Sequence, residues 1–322
     1  MIEAVGLTKR YGTTVAVNDL SFSVRPGVVT GFLGPNGAGK STTMRMILGL
    51  DAPTAGRALI DGVPYNHIKH PLSKIGSLLD ANWIHPNRSG RSHLRWIAAS
   101  NNIPTSRVDE VLDVVGLTAV AGKGAGKYSL GMKQRLGIAT ALLGRPEILL
   151  FDEPVNGLDP EGILWIRNFM KQLAVDGKTV LVSSHLLSEM ALTADQLIVI
   201  GRGQLIADAT TADFIANATA TSVRVRSPQL AQLHHALVER GLQAVLADEA
   251  LTVSNVPIEQ VGDIAAATGV TLHELSTTRG SLEEAFINLT GGSVEYTAHN
   301  ETAPDPFGVS GPAVSGATME GK

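Results

Sequence analysis

The chain has 322 residues, of which 44% are apolar and 17% charged, and its formal net charge at pH 7 is −4. This apolar content supports a full hydrophobic core and excludes wholesale disorder, and the length is typical of two domains of about 150 residues each. The charge does not supply the basic face that nucleic-acid binding requires, and the lack of cysteine excludes disulfides and cysteine metal sites.

No segment of the sequence has the composition of a membrane anchor. The first residues lack the apolar core of a signal peptide, and no uninterrupted apolar run approaches the roughly 20 residues of a membrane span. The most apolar stretch, Gly131 to Phe151, is broken by charged residues and a proline. We therefore expect a soluble, cytosolic protein, and any membrane role must come through a partner.

Residues 1 to about 215 alternate apolar strands and helices, and residues 91–126 form a helical insertion. The strands lack polar alternation, as expected of strands buried on both faces. The predicted elements are a strand at Val28–Leu33, helices at Lys40–Leu50 and Arg107–Val115, a strand at Ile148–Phe151, a helix at Pro160–Val175, a strand at Thr179–Val182, and a hairpin of Leu197–Ile200 and Gln204–Ala207.

A second unit begins near residue 221. Its pattern βαββαβ is that of a ferredoxin-like α+β domain. The predicted elements are strands at Val223–Arg226, Ala244–Leu246, Leu251–Ser254 and Thr271–Leu275, and helices at Gln229–Glu239 and Ile258–Ala267. A further helix, Ser281–Leu289, is expected to pack back on the first domain with Ser281 as its N-cap. The tail after residue 290 is rich in Gly, Pro, Ser and Thr and is predicted to be disordered.

One glycine-rich segment matches the phosphate-loop pattern G-x-x-x-x-G-K-[ST] between a strand and a helix. The segment and the residue after it are Gly34, Pro35, Asn36, Gly37, Ala38, Gly39, Lys40, Ser41 and Thr42. Backbone N–H groups and a helix N-terminus would surround the β-phosphate. Lys40 would neutralise the β- and γ-phosphates and Ser41 would bind Mg²⁺. A plain glycine-rich turn is the weaker interpretation.

Polar residues follow two other apolar strands. Asp152 ends one strand and would hold Mg²⁺ through water, while Glu153 would polarise the attacking water. His185 follows Thr179–Val182 and two serines, at the edge where open α/β sheets bind ligands, and is predicted to sense the γ-phosphate. A solvated strand end and a structural histidine are the alternatives, and the other eight histidines are assigned to structure or surface.

The order of motifs resembles the ATP-binding subunit of an ABC transporter. The motifs are the segment from Ser129 to Arg135, then ILLFDEP, NGLDP and SSH. The resemblance implies an ABC ATPase of the P-loop NTPase class at 1–218, with its helical insertion at about 88–145, followed by the small α+β domain at 221–290 and the disordered tail at 291–322.

The same resemblance assigns further residues to ATP and implies a head-to-tail ATPase dimer, formed by two copies of the chain or by one copy and a paralogue. Ser129 and Gly131 would contact the γ-phosphate bound to the opposite subunit. Tyr11 would stack on adenine, with a half-buried strand-end tyrosine as the alternative. Asp159 would be the key acid of the loop at 156–160 that links the two active sites.

The sequence is most similar to ATPase subunits of bacitracin, lantibiotic and anthracycline-type drug exporters. Those have a separate membrane permease and a C-terminal L-E-E-x-F-type helix, which Leu282–Phe286 fits. The resemblance implies ATP hydrolysis with Mg²⁺ that powers export, by a cytoplasmic protein that is peripheral on the cytoplasmic face of the plasma membrane. Alternatives are a soluble ABC-type ATPase acting on a ribosome or DNA, and a regulatory module that binds nucleotide without hydrolysis.

Two positions depart from the family pattern. Leu130 stands where the signature motif normally has glycine. Asp80 stands where the loop that couples ATP to the membrane subunit normally has glutamine. A carboxylate can bind Mg²⁺ but cannot donate a hydrogen bond, so altered coupling or metal dependence is expected. Three arginines near Trp83 and Trp96 are assigned to membrane-subunit contact rather than nucleic acid, namely Arg88, Arg91 and Arg95.

Overall fold

Three β-sheets organise the parts of the chain that the computed structural model describes, which are residues 1–218, 222–247, 249–278 and 280–290. The strands are β1 (Ile2–Tyr11), β2 (Thr14–Val24), β3 (Val29–Leu33), β4 (Ala55–Ile60), β5 (Ile75–Leu78), β6 (Ile148–Phe151), β7 (Thr179–Ser183), β8 (Gln196–Gly201), β9 (Gln204–Thr210), β10 (Ser222–Arg226), β11 (Ala244–Ala247), β12 (Ala250–Ser254) and β13 (Glu274–Thr278).

The helices pack on both faces of the largest sheet and on one face of the C-terminal sheet. They are α1 (Lys40–Ile47), α2 (Pro71–Lys74), α3 (Gly90–Ser100), α4 (Ser106–Val114), α5 (Leu130–Leu142), α6 (Pro160–Val175), α7 (Leu187–Thr193), α8 (Thr211–Ala218), α9 (Leu230–Glu239), α10 (Ile258–Ala267) and α11 (Leu282–Thr290). Among the described helices, none combines the length and apolar composition that crossing a bilayer requires.

The central sheet has the strand order β5-β6-β7-β3-β8-β9, and only β9 runs antiparallel to its neighbour. Successive residues of its buried strands enter opposite cores. Leu149 and Phe151 pack with the helices on one face, whereas Ile148 and Leu150 face the antiparallel sheet β2-β1-β4 and α1. This two-sided burial explains the uninterrupted apolar runs and confirms the α/β prediction.

Helices α3, α4 and α5 lie within the range 88–145, for which a helical insertion was predicted. The prediction that α1 extends to Leu50 was wrong, because the helix ends at Ile47. Gly49 adopts a positive φ of 63°, and the N–H of Leu50 donates to the carbonyl of Arg45 at 2.9 Å. That bond closes the helix end in the manner of a glycine C-cap motif.

The C-terminal sheet has the order β11-β12-β10-β13 with every pair antiparallel, which is the predicted ferredoxin-like arrangement. The last strand begins three residues later than predicted. Val270 and Leu272 mimic strand alternation, but the N–H of Thr271 donates to Oε1 of Gln229 at 3.0 Å. Ladder pairing begins only at Glu274, opposite Arg226.

Helix α11 returns to the first domain, as predicted. Its residues Leu282 and Ala285 are buried in the same core cluster as Phe214 of α8. The predicted N-cap is present, because the N–H of Glu284 donates to Oγ of Ser281 at 3.0 Å. The predicted boundary between the two domains, at residues 219–221, and the tail at 291–322 that was predicted to be disordered lie outside the described residues.

Candidate functional site

A cavity of about 310 Å³ lies at the carboxyl edge of the central sheet, where the loop between β3 and α1 faces the end of β6. It is lined by Ala16, Asn36, Gly37, Ala38, Gly39, Lys40, Ser41, Thr42, Asp152 and Glu153. The structure thus brings the predicted phosphate loop and the predicted carboxylates together. Ala16 was missed, because nothing in its sequence context marks it.

Two glycines of the loop occupy positions that no other residue would fit. Gly39 has a φ of 100°, and a Cβ there would lie 2.5 Å from the carbonyl oxygen of Ala16. A Cβ on Gly34 would lie 2.5 Å from the carbonyl oxygen of Ile200. Since glycine alone tolerates such a conformation and such close approach, these residues keep the loop tight against the sheet.

Lys40 is buried beneath this loop. Its Nζ donates to the carbonyl of Gly34 at 2.6 Å and to that of Pro35 at 3.2 Å. Burial lowers the pKa of Lys40, and the nearby carboxylates of Glu153 and Asp152 act in the opposite direction. The side chain is therefore a cation held by neutral carbonyls, to which an incoming phosphate offers a charged and stronger acceptor.

Asp152 and Glu153 are held together by a residue of the neighbouring strand. Ser183, the last residue of β7, forms a short hydrogen bond from its Oγ to Oδ1 of Asp152. The same Oγ accepts the backbone N–H of Glu153 at 3.0 Å. Ser183 was not among the predicted site residues, although a polar residue that ends an apolar strand just before His185 was a usable signal.

His185 contacts Glu153 directly. Its Nδ1 lies 2.7 Å from Oε2 of Glu153, and its backbone N–H donates to the same oxygen at 3.3 Å. The imidazole is exposed, so its other nitrogen remains open to solvent or a ligand. A histidine that holds a carboxylate in this way orients it for contact with a group in the cavity.

Tyr11 lies beside the cavity at the end of β1. Its hydroxyl donates to Oδ2 of Asp51 at 3.0 Å, and Arg45 of α1 binds the same carboxylate oxygen at 2.8 Å. Partial burial, followed by the hydrogen bond to Asp51, raises the pKa of Tyr11. The ring is exposed, with Nζ of Lys9 5.0 Å from its centroid, so one aromatic face is available for stacking.

The residues assigned to a second nucleotide lie elsewhere. Ser129 caps α5 by accepting the N–H of Met132 at 3.2 Å, and Asp159 caps α6 by accepting the N–H of Gly162 at 2.9 Å. Gly131 faces Leu158, whose Cδ2 would be 3.3 Å from an added Cβ. These motifs contact each other, but none of the three predicted residues lines the phosphate cavity described above.

Asp80 follows β5 at the same sheet edge as Asp152. Its Oδ1 accepts the N–H of Asn82 at 2.8 Å. It lines a separate cavity of about 270 Å³ with Trp83 and Trp96, rather than the phosphate cavity. Asp80 is therefore not among the residues that line the phosphate cavity with Ser41 and Asp152, and its metal role stays a prediction.

The oxygen donors of the cavity suit magnesium. Ser41 and Asp152 offer one hydroxyl and one carboxylate, and within the described ranges no cluster of three or more His, Asp or Glu could hold a metal by itself. Mg²⁺ usually keeps several waters and binds through one or two carboxylates plus substrate phosphates. The residues present therefore fit a metal that arrives with its nucleotide.

The parallel sheet, the glycine loop with its buried lysine and the carboxylates at the neighbouring strand end define a nucleoside triphosphatase of the P-loop class. Residues 17–156 match the family model described as ABC transporter, and residues 221–283 match a domain of unknown function, DUF8746.

Curated relatives and solved structures agree. The chain is 44% identical over 209 residues, or 64% of its length and 68% of the relative, to the bacitracin transport ATP-binding protein BcrA of Enterococcus faecalis. It is 34% identical to BcrA of Bacillus licheniformis, over 91% of this chain and 98% of that one. A dimeric bacterial ABC transporter cassette superimposes with a TM-score of 0.61 at 26% identity, covering 66% of this chain and 99% of the cassette.

The chain therefore belongs to the family of ATP-binding proteins of ABC transporters, and its first domain is an ABC ATPase domain. This assignment favours a transporter subunit over a soluble ABC-type ATPase that acts on nucleic acid.

Proposed function

We propose that this ATPase binds ATP with Mg²⁺ at the cavity between α1 and β6 and hydrolyses it with Glu153 as the general base. The contact of Glu153 with His185 beside the phosphate loop is the observation that carries the proposal. Ser41 and Asp152 hold the metal, which neutralises phosphate charge when bound. Lys40 binds the β- and γ-phosphates, Tyr11 stacks on adenine, and His185 orients the γ-phosphate.

The active unit in this proposal is a head-to-tail dimer with two ATP molecules. Ser129 and Gly131 lie outside the chain's own phosphate cavity, and Ser129 is exposed at the start of α5. A γ-phosphate contact by these residues therefore requires a second subunit. The solved neighbour that is a dimeric cassette supports this arrangement. Asp159 caps α6 and follows Leu158, the residue that Gly131 contacts. In this proposal Asp159 links the two ATP sites of the dimer.

A separate transmembrane permease completes the transporter. Trp83 and Trp96 are 63% and 56% exposed at the rim of the cavity that contains Asp80, an exposure that suits a docking segment of another protein. Relatives are named for bacitracin and lantibiotic transport. We infer that the transported compound is a peptide antibiotic or similar drug, that it is exported, and that the subunit works on the cytoplasmic face of the membrane.

Replacing the general base tests the hydrolysis mechanism. Glu153→Gln keeps the side-chain size but removes the basic carboxylate, so ATP turnover should fall at least about 100-fold. ATP binding, followed by calorimetry, should persist. Glu259→Gln, an exposed change in the C-terminal unit, is the matched control and should leave turnover unchanged. Turnover that survives Glu153→Gln would remove Glu153 from the mechanism.

Co-purification tests the partner. The chain should be retained on a membrane protein of about six apolar spans encoded beside it. Retention should weaken when Trp83→Ala and Trp96→Ala are combined. A chain that hydrolyses ATP yet binds no such protein would contradict the transporter role.

A further inference from the structure

Ser183 connects two strands of the catalytic edge through one hydroxyl. It is the last residue of β7 and is 0% exposed. Strands β6 and β7 are parallel, and Phe151 pairs with Val182, so Asp152 and Ser183 are the next residues of each strand. The Oγ of Ser183 donates to Oδ1 of Asp152 and accepts the N–H of Glu153 at 3.0 Å.

We infer that Ser183 is a positioning residue for the hydrolytic reaction. It orients the carboxylate of Asp152 toward the metal, and it fixes the backbone from which the Glu153 side chain projects. The inference rests on the proposed roles of Asp152 and Glu153. Ser183 itself is behind both residues and does not line the phosphate cavity.

The backbone of Glu153 requires such a restraint. Its φ is 50°, in the left-handed region that L residues other than glycine seldom adopt. A conformation of this kind persists only where neighbouring groups hold it. The N–H of Glu153 is held by Ser183, and its carbonyl accepts the N–H of Asn156 at 3.2 Å. The two consecutive carboxylates can therefore take different proposed roles, Asp152 at the metal and Glu153 as the general base.

A hydroxyl is the group that serves both neighbours. It has one donor and two acceptor positions, so it can donate to a carboxylate while it accepts from an amide. In the described part of the chain, no hydrogen bond is made to the second oxygen of Asp152, Oδ2, which leaves that oxygen for a metal-bound water. The next hydroxyl, that of Ser184, is engaged elsewhere because it accepts the N–H of Leu186 at 3.0 Å.

Magnesium dependence separates positioning from general stability. Ser183→Ala should raise the Mg²⁺ concentration for half-maximal ATP hydrolysis about tenfold, as expected for loss of a hydrogen bond to a charged group. A second readout uses the non-hydrolysable analogue AMP-PNP. Its dissociation constant in EDTA should match wild type, whereas the gain in affinity on adding Mg²⁺ should shrink. Ser183→Cys, whose thiol is somewhat larger than the hydroxyl and a weaker donor, should give values between those of the wild type and Ser183→Ala.

Ser184→Ala is the matched control, since that serine is also fully buried and directly follows Ser183 in the chain. It should leave both magnesium readouts at wild-type values. The inference is overturned if Ser183→Ala keeps the wild-type magnesium dependence, or if Ser184→Ala shifts it equally. Melting temperatures and circular dichroism show that each variant is folded, and Ser183→Cys decides the question if Ser183→Ala does not fold.

Asp152→Asn, measured in parallel, distinguishes failure of this inference from failure of the proposed function. If Asp152→Asn raises the Mg²⁺ concentration for half-maximal hydrolysis and Ser183→Ala does not, the positioning role alone is wrong. If neither changes it, the metal role of Asp152 is wrong.

Discussion

The side chain of Leu130 lies over Gly157. The next residues of the two segments, Gly131 and Leu158, are also in contact. A Cβ added to Gly157 would be 2.1 Å from Cδ2 of Leu130, and Gly157 has a φ of 73°. Nε2 of Gln134, one turn further along α5, donates to the carbonyl of Asn156 at 3.3 Å. The start of α5 and the loop before α6 are thus packed as one surface, in which Leu130 replaces the expected glycine.

A double-mutant cycle tests this contact. Gly157→Ala should destabilise the chain both through its positive φ and through the clash with Leu130. Leu130→Ala relieves only the clash, so the cost of Gly157→Ala should be smaller in that background by about 0.5–3 kcal/mol. Denaturant unfolding of the four proteins gives the coupling. Strictly additive free energies would mean that the two side chains do not interact.

At the residue scale, the sequence predicted the groups whose chemistry is local. The phosphate loop is contiguous, and Asp152 and Glu153 follow an apolar strand. The position of Ser183 at a strand end marked it as a candidate, but its two hydrogen bonds could not be predicted, because they depend on which residue of β7 lies beside Asp152, a register set by the whole sheet. The separation of Asp80 from the phosphate cavity depends on the path of the loop after β5, which spacing alone does not determine.

Helix α11 connects the C-terminal unit to the nucleotide domain. It packs against α7 and α8 and buries Leu282 and Ala285 in the main core. Helix α7 begins two residues after His185. By packing on α7, helix α11 supports the segment that carries this proposed catalytic side chain. The existence of α11 was predictable from its cap and apolar spacing. The start of β13 was not, because the side chain of Gln229, which lies just before α9 and far away in sequence, accepts the N–H of Thr271.

Truncating the buried face of α11 should therefore be costly. Leu282 is 1% exposed, and Leu282→Ala should lower the free energy of unfolding by about 2–5 kcal/mol. Ile287 lies on the same helix but is 64% exposed, so Ile287→Ala should change it by less than about 0.5 kcal/mol. Equal effects of the two substitutions in denaturant unfolding would show that α11 does not dock in solution.

At the scale of the whole molecule, the proposed dimer would complete the phosphate cavity of each chain with the exposed motif of the other chain. The absence of cysteine permits a direct test of this arrangement, because only introduced cysteines can form disulfides. Asn36 at the phosphate loop and Leu130 beside Ser129 are both exposed. A head-to-tail dimer would bring Asn36 of one subunit near Leu130 of the other.

A chain carrying both Asn36→Cys and Leu130→Cys should form a disulfide-linked dimer on oxidation, and ATP with Glu153→Gln should increase its yield. The pair Asn36→Cys and Val175→Cys is the control, since Val175 is exposed at the far end of α6. Cross-linking that is equal for both pairs, or indifferent to ATP, would argue against the head-to-tail arrangement. Non-reducing electrophoresis provides the measurement.

Ser222, where the first strand of the ferredoxin-like sheet begins, pairs with Thr278, where the last strand ends. The chain therefore enters and leaves this unit at neighbouring points. Its apolar core contains only residues of that unit, whereas α8 before it and α11 after it share the core of the nucleotide domain. In the order of the chain, the unit is therefore inserted between two helices, α8 and α11, that pack against each other. Adjacent ends of this kind allow a module to be acquired, exchanged or lost during evolution without opening the host fold.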